Sequence, residues 1–161
     1  MKKLRVYLDT SVVNFLFATD APEKMELTIR FFDDYIKSNK VEAFVSPIVV
    51  DEIMRTKDIC KRDKLLDVIS GYKLPLLDIE NNPEISNLAQ QLLSKHVLPP
   101  KSTDDAMHVA IAVIYELDVL VSWNFTHLAN VNRERRIAVL NQSEGYFYPL
   151  RITTPLGVMG S

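Results

Sequence analysis

The segment LRVYLDTSVVNFL, residues 4–16, decides the fold that we expect for this chain of 161 residues. Its first half is apolar and rich in β-forming residues, which predicts a buried strand over residues 4–8. The apolar run ends abruptly at Asp9, and an unpaired buried carboxylate is costly because it loses its hydration. Asp9 therefore needs a partner at the end of this strand.

Strand-like and helix-like patterns alternate along the rest of the chain. We predict strands over residues 4–8, 41–46, 118–123 and 137–140, and an edge strand or extended segment over residues 72–79. Helical periodicity predicts helices over residues 11–17, 25–38, 47–54, 57–71, 83–96, 104–117 and 130–136. This alternation predicts an α/β fold, a three-layer α/β/α sandwich with a central, mostly parallel sheet. We expect one domain over residues 1–161, with an irregular C-terminal tail from about residue 145.

Composition limits the classes of function that suit this chain. The formal net charge is −2, so a nucleic-acid partner would need a local basic patch or a metal ion. The single Cys60 can form neither an internal disulfide nor a thiolate zinc cage, which is typical of intracellular proteins. No apolar run approaches the length of a membrane span. We therefore expect a cytoplasmic protein that does not enter a membrane.

Polar side chains stand where predicted strands end or helices begin. They are Asp9, Glu52, Asp104, Asp105, Ser122 and Asn124. A parallel α/β sheet gathers the carboxyl ends of its strands at one edge, which is where such folds bind ligands. Carboxylates gathered without His or Cys ligands repel one another, and a hard divalent cation such as Mg²⁺ or Mn²⁺ relieves that repulsion. The constellation therefore indicates hydrolysis of a phosphodiester by a metal-activated water.

Four segments resemble, in order, the signature segments of the PIN-domain family. They are YLDTSVVN, VVDEIMR, TDDAMHVAIA and DVLVSWNFTHL. The resemblance implies a PIN-like α/β/α fold, metal-dependent endoribonuclease activity on RNA, and often the role of toxin in a toxin–antitoxin pair. It also implies an antitoxin protein as partner and a homodimer. It places the metal-binding, catalytic acids on Asp9, Glu52 and Asp105, and the fourth catalytic position on Asn124, where many members have Asp.

Asn124 leaves two readings of the function open. An Asn side chain can orient a metal-bound water through its oxygen, but it adds no negative charge, so metal affinity is lower or a second metal is absent. The alternative to a nuclease is thus a catalytically degenerate PIN-fold module that binds RNA or a protein. A phosphotransfer enzyme with Asp9 as nucleophile ranks last, because Ser11 stands where a second Asp is expected and no Gly-rich phosphate loop is present.

Several residues near these acids have a structural reading beside the functional one. Asp9 can cap the following helix, but Thr10, a supporting residue of the site, and Ser11 are equally able to do so. Ser122 is either a plain strand-end hydroxyl or a hydrogen-bonding partner of Asp9 or of a metal-bound water. Asp104 points about 100° away from Asp105 around its helix, so we expect it to face solvent. His108 shares a face with Asp105, and we expect it to pack or to form a hydrogen bond.

Aromatic and basic residues near the site leave further alternatives. Trp123 and Phe125 favour core or rim packing, and base stacking on single-stranded RNA is the alternative. We expect the basic clusters at residues 61–64 and 133–136 to lie on solvated helix faces, and phosphate contacts are the alternative.

Overall fold

The computed structural model describes residues 2–160, which form an α/β/α sandwich around a four-stranded, all-parallel sheet. The strands are β1 (Leu4–Leu8), β2 (Val41–Phe44), β3 (Val119–Val121) and β4 (Arg151–Thr153). Their spatial order is β2-β1-β3-β4. The predicted fold class is therefore confirmed.

Eight α-helices lie among the described residues 2–160. They are α1 (Thr10–Phe15), α2 (Pro22–Phe31), α3 (Pro47–Met54), α4 (Ile59–Gly71), α5 (Pro83–Ser94), α6 (Thr103–Ile114), α7 (Val131–Ser143) and α8 (Pro155–Met159). A π-helical turn, Phe32–Ile36, extends α2. Four of these helices begin with proline, whose missing N–H is not needed in the first turn. None of the helices in residues 2–160 is both long and apolar enough to cross a membrane.

Strand β1 lies at the centre of the sheet and carries the first acid to the edge where ligands bind. It pairs in parallel with β2 and β3, with Leu8 opposite Val121. Val6, Tyr7 and Leu8 are fully buried although successive residues face opposite sides of a sheet, so both faces of β1 are covered. The backbone N–H of Asp9 donates to the carbonyl of Val121 at 3.2 Å, which fixes Asp9 just beyond the strand end.

Helix α6 is buried along most of its length and packs against α5. Its alanines, such as Ala106 and Ala110, are fully buried and allow close approach of neighbouring elements. The apolar stripe of α5, which includes Leu88 and Leu92, covers one side. This packing positions α6, whose first turn carries Asp104 and Asp105.

Two predictions near the C-terminus are wrong. Residues 137–140 are not a strand but part of α7, whose inner face buries Ile137 and Leu140 at helical spacing. The tail from about residue 145 is not irregular throughout, since it contains β4 and α8. Strand β4 forms because β3 offers a free edge, and the Glu134 carboxylate accepts the N–H of Ile152 on the outer side at 2.6 Å.

The segment over residues 72–79 lies at the opposite edge of the sheet, as predicted. It forms a single parallel bridge between Leu76 and Val45. The carbonyl of Pro75 accepts the N–H of Val45 at 3.0 Å, a role that proline retains although it lacks an N–H of its own.

Candidate active site

Asp9 is a buried carboxylate at the junction of β1 and α1. Only 3% of the residue is exposed. Its Oδ1 accepts the Ser11 hydroxyl at 2.5 Å and the N–H of Val12 at 3.3 Å, so it caps α1. Burial raises the pKa of Asp9 above its ordinary value, although the field of His108 and the hydrogen bonds from Ser11 and Ser122 act in the opposite direction. The cap uses only Oδ1 of Asp9, and the stabilising contacts of the carboxylate do not fully offset the cost of burying its charge.

A chain of buried hydrogen bonds holds Glu52 of α3. The His108 Nε2 lies 2.6 Å from Glu52 Oε1, and Thr10 donates its hydroxyl to the same oxygen at 2.6 Å. The His108 Nδ1 lies 2.7 Å from the Tyr7 hydroxyl, which lies 2.6 Å from Ser46 Oγ. The ring of His108 is thus fixed at both nitrogens, as we expected for a hydrogen-bonding histidine. It orients Glu52 toward the other acids.

The protonation of this chain follows from the pKa directions of its members. Burial lowers the pKa of His108, but the hydrogen bond to Glu52 and the fields of the surrounding acids outweigh it, and the net pKa is raised. Burial raises the pKa of Glu52, but its bonds to His108 and Thr10 outweigh it, and the net pKa is lowered. These two directions favour an imidazolium that donates to Glu52 and to Tyr7. The Tyr7 phenol donates in turn to Ser46 and stays neutral, because burial raises its pKa well above the ordinary value.

Asp105 and Asn124 meet at the start of α6. The Asn124 Nδ2 donates to Asp105 Oδ2 at 3.1 Å. The Asn124 oxygen accepts the N–H of His127 at 3.0 Å, and the Asn124 N–H donates to Ser122 Oγ at 2.9 Å. The oxygen that we expected to orient a water thus binds the chain's own backbone. In this arrangement Asn124 presents its NH₂ group, and not its oxygen, to the acids.

The acids share one electrostatic site. The pKa of Asp105 is raised to about 6, first by burial and then by the negative charges of Asp9 and Glu52, while His108 and His127 lower it. Carboxylates raise one another's pKa in this way only over short distances. Asp9 and Glu52 therefore lie near enough to Asp105 to affect its protonation.

A model of the PIN domain family matches residues 6–130. The chain belongs to the PIN domain family. PIN domains are generally nucleases and typically use divalent metal ions, and the matched range contains all four predicted catalytic positions. A comparison with curated proteins gives no match to this chain.

The donor set of this PIN domain suits a hard divalent cation held partly by water. Among residues 2–160, no three His, Cys, Asp or Glu side chains form a ready-made metal cage. Mg²⁺ does not require one, because it usually keeps several waters and binds one or two carboxylates together with phosphate oxygens. Within that described range, both hydrogen bonds to Glu52 go to Oε1 and the bond to Asp105 goes to Oδ2. One oxygen of each carboxylate is thus left for a cation or its waters.

The supporting residues differ in their contacts. Asp104, which we expected to face solvent, is partly exposed and pairs with Arg55 at 2.7 Å. Ser122 is fully buried, and its hydroxyl lowers the pKa of Asp9, against the larger effect of burial. Thr10, by contrast, supports Glu52 rather than Asp9.

Three further residues of the site were missed by sequence reasoning. They are Tyr7, Ser11 and Ser46. In the sequence Tyr7 is one more apolar residue of a strand, yet the hydroxyl of a buried tyrosine usually finds a partner, which is a signal that a second polar group lies opposite. Ser46 directly precedes Pro47, the pattern of a helix cap, and its Oγ does accept the N–H of Ile48 at 3.2 Å.

The basic cluster at residues 133–136 has a structural role in part. Arg133 donates to the carbonyl of Val97 at 2.6 Å, and Arg136 donates to the carbonyl of His96 at 2.8 Å. These carbonyls follow the C-terminal end of α5, where cations are stabilising. The cluster at residues 61–64 lies in the exposed first turns of α4.

Proposed function

We propose that this PIN domain is a Mg²⁺- or Mn²⁺-dependent endoribonuclease that uses Asp9, Glu52 and Asp105 to hold the cation. The observation that carries the proposal is the pKa of Asp105, which is raised to about 6 beside Asp9 and Glu52. Three neighbouring carboxylates repel one another, which destabilises the folded protein but favours the binding of a divalent cation.

The surrounding side chains have separable tasks in this proposal. A bound divalent cation supplies Lewis-acid activation of water and of a phosphoryl oxygen. Ser11 and Ser122 hold the Asp9 carboxylate in place, and Thr10 and His108 hold that of Glu52. The imidazolium of His108 partly offsets the negative charge, so the acids can lie close together before a cation binds.

We further propose that the substrate is RNA and that the protein acts in the cytoplasm as the toxin of a toxin–antitoxin pair. The support is the order of its four signature segments, YLDTSVVN, VVDEIMR, TDDAMHVAIA and DVLVSWNFTHL. An antitoxin that silences the nuclease and a homodimer are the partners that this role implies. Sizing of the protein purified alone tests the homodimer, and sizing after co-expression with a candidate antitoxin tests the complex.

The experiment that tests the nuclease is a cleavage assay on single-stranded and structured RNAs. The purified protein is incubated with Mg²⁺, Mn²⁺ or EDTA, and the variants Asp9→Asn and Glu52→Gln are run beside it. Asp51→Asn is the matched control, because Asp51 is an exposed acid next to Glu52 in the same helix. We expect cleavage that requires metal, survives in the control and is lost in both site variants. Cleavage that persists in EDTA or in Asp9→Asn contradicts the proposal.

One observation favours a second candidate, an RNA-binding module that does not cleave. Asn124 adds no charge, and its oxygen accepts the N–H of His127 and does not face the acids. RNA binding without cleavage at any metal concentration would establish this candidate in place of the nuclease.

A further inference from the structure

A cluster of three aromatic rings and one ammonium lies beside the acids. It consists of Lys24, Phe15, Trp123 and Phe125, and we call it the aromatic platform. The Lys24 Nζ lies 5.7 Å from the ring centroid of Phe15, 5.7 Å from that of Trp123 and 5.0 Å from that of Phe125. Such distances are within the range of cation–π contacts. The platform therefore combines aromatic faces with a positive charge.

The platform is joined directly to the candidate active site. The N–H of Trp123 donates to Ser11 Oγ at 2.9 Å, and the Ser11 hydroxyl in turn binds Asp9. Phe125 directly follows Asn124, whose amide binds Asp105. The platform therefore adjoins the residues that contact Asp9 and Asp105.

Phe125 presents a partly exposed ring with the Lys24 ammonium over it. The residue is 47% exposed, and its ring meets that of Trp123 edge to face at a centroid distance of 6.0 Å. Trp123 is anchored in the core, because its Nε1 donates to the buried Thr28 Oγ1 at 2.9 Å. An exposed ring on a rigid support is the feature on which proteins stack unpaired bases.

The Lys24 ammonium has no ion-pair partner among the acids of residues 2–160. Within residues 2–160, none of the ion pairs of 4.0 Å or less involves Lys24. Lys24 is only partly exposed, but its four-carbon stem is flexible, so the ammonium can move from the rings to a phosphate. This local positive charge matters because the whole chain, with a net charge of −2, does not attract RNA.

We propose that the aromatic platform binds one unpaired nucleotide of single-stranded RNA, with its base stacked on Phe125 and its phosphate paired with Lys24. The proposal rests on the proposed function, because the same strand would then run on to Asp9 and Asp105. A base inside a duplex has no free face, so the platform selects single strands and loops over duplexes. Stacking tolerates every base, so the selection is for an unpaired nucleotide rather than for a sequence.

The test is binding of a fluorescent single-stranded RNA of about ten nucleotides, a length typical of such sites, measured by anisotropy in EDTA so that nothing is cleaved. Phe125→Leu should weaken binding roughly tenfold, the range found when one stacking aromatic is removed. Phe147→Leu is the matched control, because Phe147 is 75% exposed and lines a cleft with Val113 and Ile114, at the far end of α6 from Asp105. We expect no loss in this control.

Two further measurements test the platform without relying on Phe125→Leu alone. Lys24→Met should reduce the slope of log K against log salt by about 0.7, the value for one phosphate contact on a single strand. A probe with one abasic nucleotide at the stacked position should bind wild type roughly tenfold more weakly, as expected for the loss of one stacked base, and Phe125→Leu should add little to that loss. Thermal melting of each variant shows whether it is folded.

The outcomes separate this subsite from the nuclease. If the wild type cleaves RNA with metal, and Phe125→Leu and Lys24→Met bind RNA as tightly as the wild type does, the platform is overturned and the nuclease is not. RNA binding that depends on both residues, without cleavage under any metal, supports the platform and overturns the nuclease. A wild type that binds duplex as tightly as single strand, or binds no RNA, overturns the platform.

Discussion

Replacing Asp105 by Asn should make this PIN domain more stable while it abolishes cleavage. The rise in the Asp105 pKa from 3.8 to about 6 corresponds to roughly 3 kcal/mol against the ionised form, at about 1.36 kcal/mol per pKa unit. Asp105 is only partly buried, and solvent screens the repulsion, so we expect about 1–2 kcal/mol of stabilisation near pH 7. For a chain of this size the melting temperature then rises by roughly 2–8 °C.

The pH dependence of this difference has a defined sign. A carboxyl whose pKa is raised in the folded protein contributes stability below its unfolded pKa, and that contribution is lost as the pH rises through the folded pKa. The wild type and Asp105→Asn should therefore melt alike below the unfolded pKa of 3.8, diverge as the pH rises from there to about 6, and differ by a constant amount above it. Scanning calorimetry of both proteins over this range measures the divergence.

Divalent metal should reverse the order of stability. A ligand that binds only the folded state adds about 2.7 kcal/mol at a hundred times its Kd. Mn²⁺ should therefore raise the melting temperature of the wild type and leave that of Asp105→Asn nearly unchanged. The reasoning is refuted if the variant is no more stable than the wild type at pH 7 without metal, or if Mn²⁺ stabilises both proteins equally.

Two other substitutions test the hydrogen bonds around the acids. Tyr7→Phe should lower the free energy of unfolding by about 1–3 kcal/mol in urea titrations, because it leaves the buried His108 Nδ1 and Ser46 hydroxyl without this partner. An unchanged free energy of unfolding would contradict the buried chain of hydrogen bonds. Asn124→Asp places a carboxylate beside Asp105. It should therefore lower the melting temperature without metal and increase the Mn²⁺ affinity measured by calorimetry. An unchanged Mn²⁺ affinity would argue against a cation at this position.

Strongly periodic elements of the fold could be predicted from the sequence, and weakly patterned ones could not. Strand β1 and helix α6 were predictable because both are buried and their apolar patterns are long. The four residues Ile137–Leu140 are apolar throughout and suit a short strand or one helical turn equally well. Only the continuation of α7 to Ser143 decides between them. Strand β4 has three residues, and its pairing with β3 is a tertiary effect that local sequence does not encode.

In the candidate active site, the positions of the acids could be predicted from the sequence, but their hydrogen-bond partners could not. The acids could be placed at strand ends and helix starts from the alternation of elements, because parallel sheets gather those ends. Which atom binds which could not be predicted. Tyr7 and His108 are separated by 101 positions in the chain, and Asn124 divides its two amide atoms between Asp105 and His127. These pairings depend on side-chain placement within a packed core.

The most direct test of the central claim is the anomalous scattering of Mn²⁺ in crystals of the wild-type protein soaked with that ion. We predict one strong peak at bonding distance from the carboxylate oxygens of Asp9 and Asp105, and no such peak in crystals of Asp105→Asn. An equally strong peak in the variant, or ordered wild-type crystals with Mn²⁺ bound only away from Asp9, Glu52 and Asp105, would contradict the account.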